Sequence, residues 1–264
     1  MKDAPPTSLA THLAAKPIEI LVVALALAGG AAVRAETATI AVATNFAEPL
    51  AELERAFEAT GGHELVVVRG STGQLYAQIA NAAPFDVLLA ADDETPALLV
   101  RARLGVAPSR FTYAIGRLVL WTRAEHLRDA LSLDVLESGD FRWIAIASPE
   151  LAPYGLAARQ ALDALGLSET LAPKTVQGQN IGQTFAMAAT GNADLAFVAL
   201  AQAMSYDEPA AYVEVPPQLH EPIRQDAVLL WRAADNAAAL AFLEFLASDA
   251  AVAIIERYGY EVPR

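Results

Sequence analysis

Cysteine is absent from the 264 residues. That excludes disulfides, thiol nucleophiles, cysteine-based zinc sites and a lipid-modified cysteine at the start of a mature chain. Histidine is scarce too. Beyond the N-terminal block only His63, His126 and His220 occur, widely spaced and in no HExxH-like pattern, so they read as surface residues rather than metal ligands. Positive charge is short, with Lys+Arg 18 against Asp+Glu 31 and a formal net charge of −13. A surface of that sign repels nucleic acid and anionic lipid. Repeats, low-complexity tracts and Ser/Gly linkers are also missing, which argues against domains strung on tethers.

One uninterrupted apolar run is present, residues 20–33 (ILVVALALAGGAAV), preceded by Lys2 and Lys16 and followed by Arg34-Ala35. A basic start, a short apolar centre and small residues before a cut form the anatomy of a secretory signal peptide, here residues 1–35. The run is shorter than the roughly 20 residues a bilayer core demands, so a membrane anchor is the poorer reading. Removing residues 1–35, with three cations and two carboxylates, takes the net charge from −13 to −14.

After that block, apolar β-rich runs alternate with amphipathic helical stretches. Residues 39–43 (TIAVA), 65–68 (LVVV) and 87–90 (VLLA) read as strands, and 47–58, 72–81 and 95–103 as the helices that follow them. A second series has strands at 118–121, 143–147 and 195–198 and helices at 155–165 and 181–190. A strand at 227–230 and helices at 236–247 and 249–258 close the chain. The order predicts an α/β protein of two lobes, 36–117 with 223–264 and 118–222, joined by short crossings near 116–118 and 221–224.

Four junctions open predicted helices: Thr44-Asn45, Gly70-Ser71-Thr72-Gly73, Ala152-Pro153-Tyr154-Gly155 and Gln179-Asn180-Ile181-Gly182. Unpaired N–H groups and the positive end of the helix dipole make such starts anion sites. Each also has an ordinary reading as a helix cap, and Gly155 and Gly182 as turn residues. In α/β proteins, however, the turns at the carboxyl ends of strands are where ligands sit. Arg69 lies beside this set, but on an alternating strand its neighbour positions point to the opposite face, so it reads as outside the site. Asp92, Asp93 and Glu94 read as a helix start before Thr95 rather than an acid/base cluster, and Tyr76 and Tyr113 as packing residues lining the cleft.

The segments ATNF (43–46), GSTG (70–73) with YAQI (76–79), FTYAIG (111–116), APYGLA (152–157), FVALAQ (197–202) and RYGY (257–260) resemble, in order, the periplasmic molybdate-binding protein family. The resemblance implies a type II periplasmic binding protein fold, an oxyanion in the cleft between lobes, delivery to an ABC transporter permease, and no cofactor or catalysis. The missing cysteine leaves the mature chain free in the periplasm, and a protein that must dock by both lobes is expected to be a monomer. Carried over by position, the ligand-binding residues are Thr44, Asn45, Ser71, Thr72, and the backbone amides of Tyr154 and Ile181. Where some relatives supply a tyrosine hydroxyl, this chain has Ala199.

A shell of N–H and O–H donors suits the four acceptor oxygens of molybdate or tungstate. Protonated phosphate would leave its hydroxyl unpaired, at a cost of about 1–3 kcal/mol. Sulfate passes that filter and must be separated by size. The alternatives are another oxyanion or organic acid on the same fold, although a carboxylate ligand calls for a bidentate arginine that none of the four junctions contains, and an exported enzyme, for which no nucleophile–base spacing appears.

Overall fold

The computed structural model describes Met1 and residues 36–263, so the leader read at 1–35 lies, Met1 apart, outside the described residues. In chain order the first series is β1 (Glu36–Ala43), α1 (Ala47–Glu58), β2 (His63–Gly70), α2 (Thr72–Ala80), β3 (Val87–Leu89), α3 (Glu94–Arg101) and β4 (Phe111–Gly116). The second is β5 (Leu118–Thr122), short α4 (Glu125–Arg128) and α5 (Val135–Ser138), β6 (Ile144–Ala147), α6 (Pro153–Ala164), α7 (Ser168–Leu171), β7 (Thr175–Gly178), α8 (Ile181–Ala189), β8 (Leu195–Ala199), α9 (Leu200–Met204) and β9 (Ala211–Glu214). Then β10 (Ile223–Leu229), α10 (Ala237–Leu246) and α11 (Asp249–Arg257) end the chain.

Two five-stranded sheets result, ordered β2-β1-β3-β10-β4 and β7-β6-β8-β5-β9. In the first, β1 runs parallel to β2 and β3, whereas β10 is antiparallel to β3 and β4. In the second, β6 is parallel to β7 and β8, and β5 antiparallel to β8 and β9. Both faces of each sheet are covered, which is why the central strands are continuously apolar rather than alternating. In β3, Val87 and Leu89 join the core under α1 and α10 while Leu88 joins the opposite core with Leu75 and Leu99. In β5, Leu118 and Leu120 pack on one side and Val119 and Trp121 on the other.

Each sheet with its helices is one lobe. The chain leaves the first sheet at Gly116, enters the second at Leu118, and returns to the first along β10. The lobes touch: Gly73 N donates to Leu151 O at 2.9 Å, Gln74 Nε2 to Gln179 Oε1 at 3.2 Å, and Gly182 N to Thr44 Oγ1 at 3.1 Å. A Cβ on Gly73 would lie 3.1 Å from Leu151 Cα, so glycine lets the faces meet.

Candidate functional site

The four junctions converge on one small cavity between the lobes. Thr44, Asn45, Ser71, Thr72, Tyr154 and Ile181 all line it, with small or apolar neighbours and no charged side chain, and its volume is about 10 Å3. Its chemistry follows from which donors the helix starts have already used.

The first turn of a helix has N–H groups without intrahelical acceptors. At α2, Gly73 gives its N–H to Leu151 O, Gln74 to Ser71 Oγ and Leu75 to Ser71 O, which leaves Thr72 N. At α6, Pro153 has none, and Gly155 and Leu156 both donate to Ala152 O, which leaves Tyr154 N. At α8, Gly182 donates to Thr44 Oγ1, Gln183 to Asn180 Oδ1 and Thr184 to Asn180 O, which leaves Ile181 N. Among the described residues, three helices thus each bring one uncommitted N–H to the same cavity.

Hydroxyls add to this. Ser71 Oγ accepts from Gln74 N at 3.3 Å within a reciprocal capping box, and Thr72 Oγ1 accepts from Ala91 N at 3.0 Å. Both spend lone pairs on the backbone and keep their hydrogens. Thr44 differs: its hydroxyl donates to Asn180 Oδ1 at 3.3 Å while accepting from Gly182, so it clasps the opposite lobe. Asn45 also differs, since its Nδ2 donates to Gln225 Oε1 at 2.9 Å and Tyr260 Oη at 3.2 Å, and its buried Oδ1 has no partner among the described residues.

Other residues singled out in the sequence fall nearby. Arg69 is exposed and lines a separate cavity of about 270 Å3 with Thr44, Glu48 and Gly182. Asp92 caps the start of α3, accepting from Thr95 N at 2.8 Å and Thr95 Oγ1 at 3.1 Å. Burial pushes its carboxyl up to about 6 against those two bonds, with smaller help from Asp93 and Glu94. Tyr113 does not line the cavity but lies in the first lobe's core, donating to Ala90 O at 2.9 Å. Gly155 and Gly182 are helical, not turn residues, and a Cβ on Gly155 would come 2.2 Å from Ala147 O.

At Ala199 a different brace stands in the tyrosine's stead. Gln202 accepts from Ala199 N at 3.1 Å and donates to Ile181 O at 3.3 Å, holding the start of α8. Sequence reasoning missed Gln202 and Gln225. For Gln202 a signal existed, a glutamine three residues into a helix start; for Gln225, inside a strand, there was none.

Two covered sheets whose helix starts face one another across a pocket of backbone and hydroxyl donors are the architecture of a solute-binding protein. The chain belongs to the bacterial extracellular solute-binding protein family, whose profile matches residues 38–261. It is 45% identical to the molybdate-binding protein ModA of Azotobacter vinelandii over 87% of this chain and 91% of that one. Identity to ModA of Rhodobacter capsulatus is 44%, over 90% and 94%. The solved periplasmic molybdate-binding protein of Azotobacter vinelandii superposes with a TM-score of 0.79 at 39% identity, covering 86% of this chain and all of that chain.

Proposed function

We propose that the protein captures molybdate or tungstate in the periplasm and delivers it to the permease of an ABC importer. The observation that carries this reading is the donor set: Thr72, Tyr154 and Ile181 N–H with the Ser71 and Thr72 hydroxyls, around a cavity lined by no carboxylate. A fully deprotonated oxyanion can pair with every one of these. Hydrogen bonds to charged groups contribute roughly 1.5–3 kcal/mol each, so about five support micromolar to nanomolar affinity after the costs of closure and dehydration. Asn45 and Thr44 complete the wall. The names of the relatives that share most of the chain agree with this ligand.

The lobes divide at 117/118 and 222/223, the leader is cleaved after about Ala35, and the released protein works as a monomer, unanchored because it has no cysteine to carry lipid. Intact mass of the exported protein reads the cleavage, and light scattering the monomer.

A melting series with molybdate, tungstate, sulfate and phosphate tests the ligand. Binding to the folded state alone adds about 4 kcal/mol at a thousandfold excess over Kd. Molybdate and tungstate should raise Tm far more than the other two. An equal shift with sulfate would overturn the ligand, and no shift with any would overturn the site.

A further inference from the structure

Beneath the first lobe's wall of the pocket lies a buried hydrogen-bonded group that the donor set does not use. At its centre is Gln225, fully buried on β10 at the point where the β10–β4 register slips and Tyr113 becomes the extra residue. Gln225 Oε1 accepts from Asn45 Nδ2 at 2.9 Å and from Tyr113 Oη at 3.1 Å, and its Nε2 donates to Tyr154 Oη at 3.2 Å. Tyr260 Oη completes the group by donating to Asn45 O at 2.8 Å.

Tyr154 is the member that comes from the second lobe, and its phenol passes over the crossing between lobes. A Cβ on Gly116 would lie 2.0 Å from Tyr154 Oη and 2.6 Å from Gln225 Nε2, so glycine there makes the contact possible. Tyr154 thus reaches both ways: its N–H faces the pocket, and its side chain grips Gln225.

Asn45 is the anomaly. Both of its amide hydrogens are spent below the pocket, and its Oδ1 is buried without a partner among the described residues. Unmatched buried polar atoms are costly and call for an explanation. If Asn45 and Gln225 exchanged the ends of their amides together, Gln225 Nε2 would donate to Asn45 Oδ1, and Gln225 Oε1 would accept from Tyr154 Oη. Tyr113 would keep Ala90 O and Tyr260 would keep Asn45 O. The orphaned acceptor would be replaced by a donor.

We propose that Gln225 is a positioning residue for the bound anion: by turning with Asn45 it presents the Asn45 amide to the ligand, and through Tyr154 it ties that event to closure of the lobes. This rests on the molybdate site proposed above. Gln225 does not touch the anion in this scheme.

The test uses the full mature protein, molybdate as the probe, and the variants Tyr154→Phe, Gln225→Leu and their combination. Tyr154→Phe keeps the backbone N–H and loses one hydroxyl. Each single change should weaken molybdate about tenfold, chiefly through faster dissociation in stopped-flow fluorescence, while ligand-free Tm falls by several degrees because buried partners are left unpaired. The double variant should be no more than about threefold weaker than the worse single, because linked groups are not additive. Multiplying losses, or affinity within twofold of wild type in Tyr154→Phe, would overturn the proposal; the second criterion stands even if Gln225→Leu does not fold. Failure of the wild type to bind molybdate would instead overturn the site beneath it.

Discussion

Two cavities lie side by side in the cleft and share Ala91, Ala152 and Pro153 as a wall. One is the small donor pocket without a charged side chain; the other, about 280 Å3, is lined by Asp92, Asp93, Glu94, Glu150 and Glu221 with Arg224 as a cation. Size and charge alone would favour the larger one as a site, yet it has the wrong sign for an anion, and its best-buried acid, Asp92, is occupied with Thr95. On the site proposed above, the difference teaches that a chain of charge −13 holds its anion by local dipoles and uncommitted hydrogens rather than by net charge.

Putting the acid of one cavity into the other should have the largest effect. Ser71→Asp keeps a competent helix cap but sets a carboxylate against the ligand. At about 4 Å and an effective dielectric near 20, each unit-charge pair costs about 4 kcal/mol and a dianion about twice that. Even half of the total predicts about a thousandfold loss of molybdate affinity by calorimetry, with the ligand-free melt little changed.

Removing an acid from the acidic cavity should act on stability instead. Asp92 holds its proton to about 6 in the folded protein against 3.8 as a free side chain. The folded state therefore binds more protons between those values, and wild-type stability falls as pH rises through that window. Asp92→Asn, which still accepts from Thr95 N, should gain about 1–3 kcal/mol above pH 6 and nothing below pH 4. Urea melts at pH 4 and pH 8 check it; an equal gain at both would assign the effect to something other than ionisation.

Next in size is closure. Gly73 borders the acidic cavity and abuts Leu151 across the lobes. Gly73→Ala should weaken molybdate about tenfold while leaving the ligand-free melt within about a degree, since an extra methyl opposes the contact and not the fold of either lobe. Smallest is the exposed Arg69. Arg69→Gln should slow association less than about threefold at low salt and not at all near 0.5 M, where exposed charges are screened; a larger loss in 0.5 M salt would bring Arg69 into the site.

Much of this was legible in the sequence, and the exceptions share a cause. The central strands β1, β3, β5, β6 and β8 announce themselves because both of their faces are buried. Sequence reading places no strand at Phe111–Gly116, Thr175–Gly178 or Ala211–Glu214, and all three lie at sheet edges, where partly exposed side chains interrupt the apolar run. The strand read at 227–230 begins at Ile223, four residues earlier. Its first half, Ile223-Arg224-Gln225-Asp226, looks like a loop because its polar residues have distant partners: Asp226 accepts from Arg110 Nε and Thr112 Oγ1, both at 2.7 Å. The helix starts were visible as cap residues. Which of their N–H groups would be left over was not, since that depends on Leu151 O and Thr44 Oγ1 arriving from the opposite lobe.

The position of β10 bears on how the chain assembles. It is inserted between β3 and β4, so β4 reaches its sheet through a strand more than a hundred residues later in the chain. The second lobe is nearly contiguous and can condense from local segments. The first must wait, with β3 and β4 unjoined, until residues 223–229 arrive. Non-local pairing of this kind slows folding. The half of the protein made first is therefore the half finished last, and during that interval its open strand edges are available to a chaperone or to another copy of the chain.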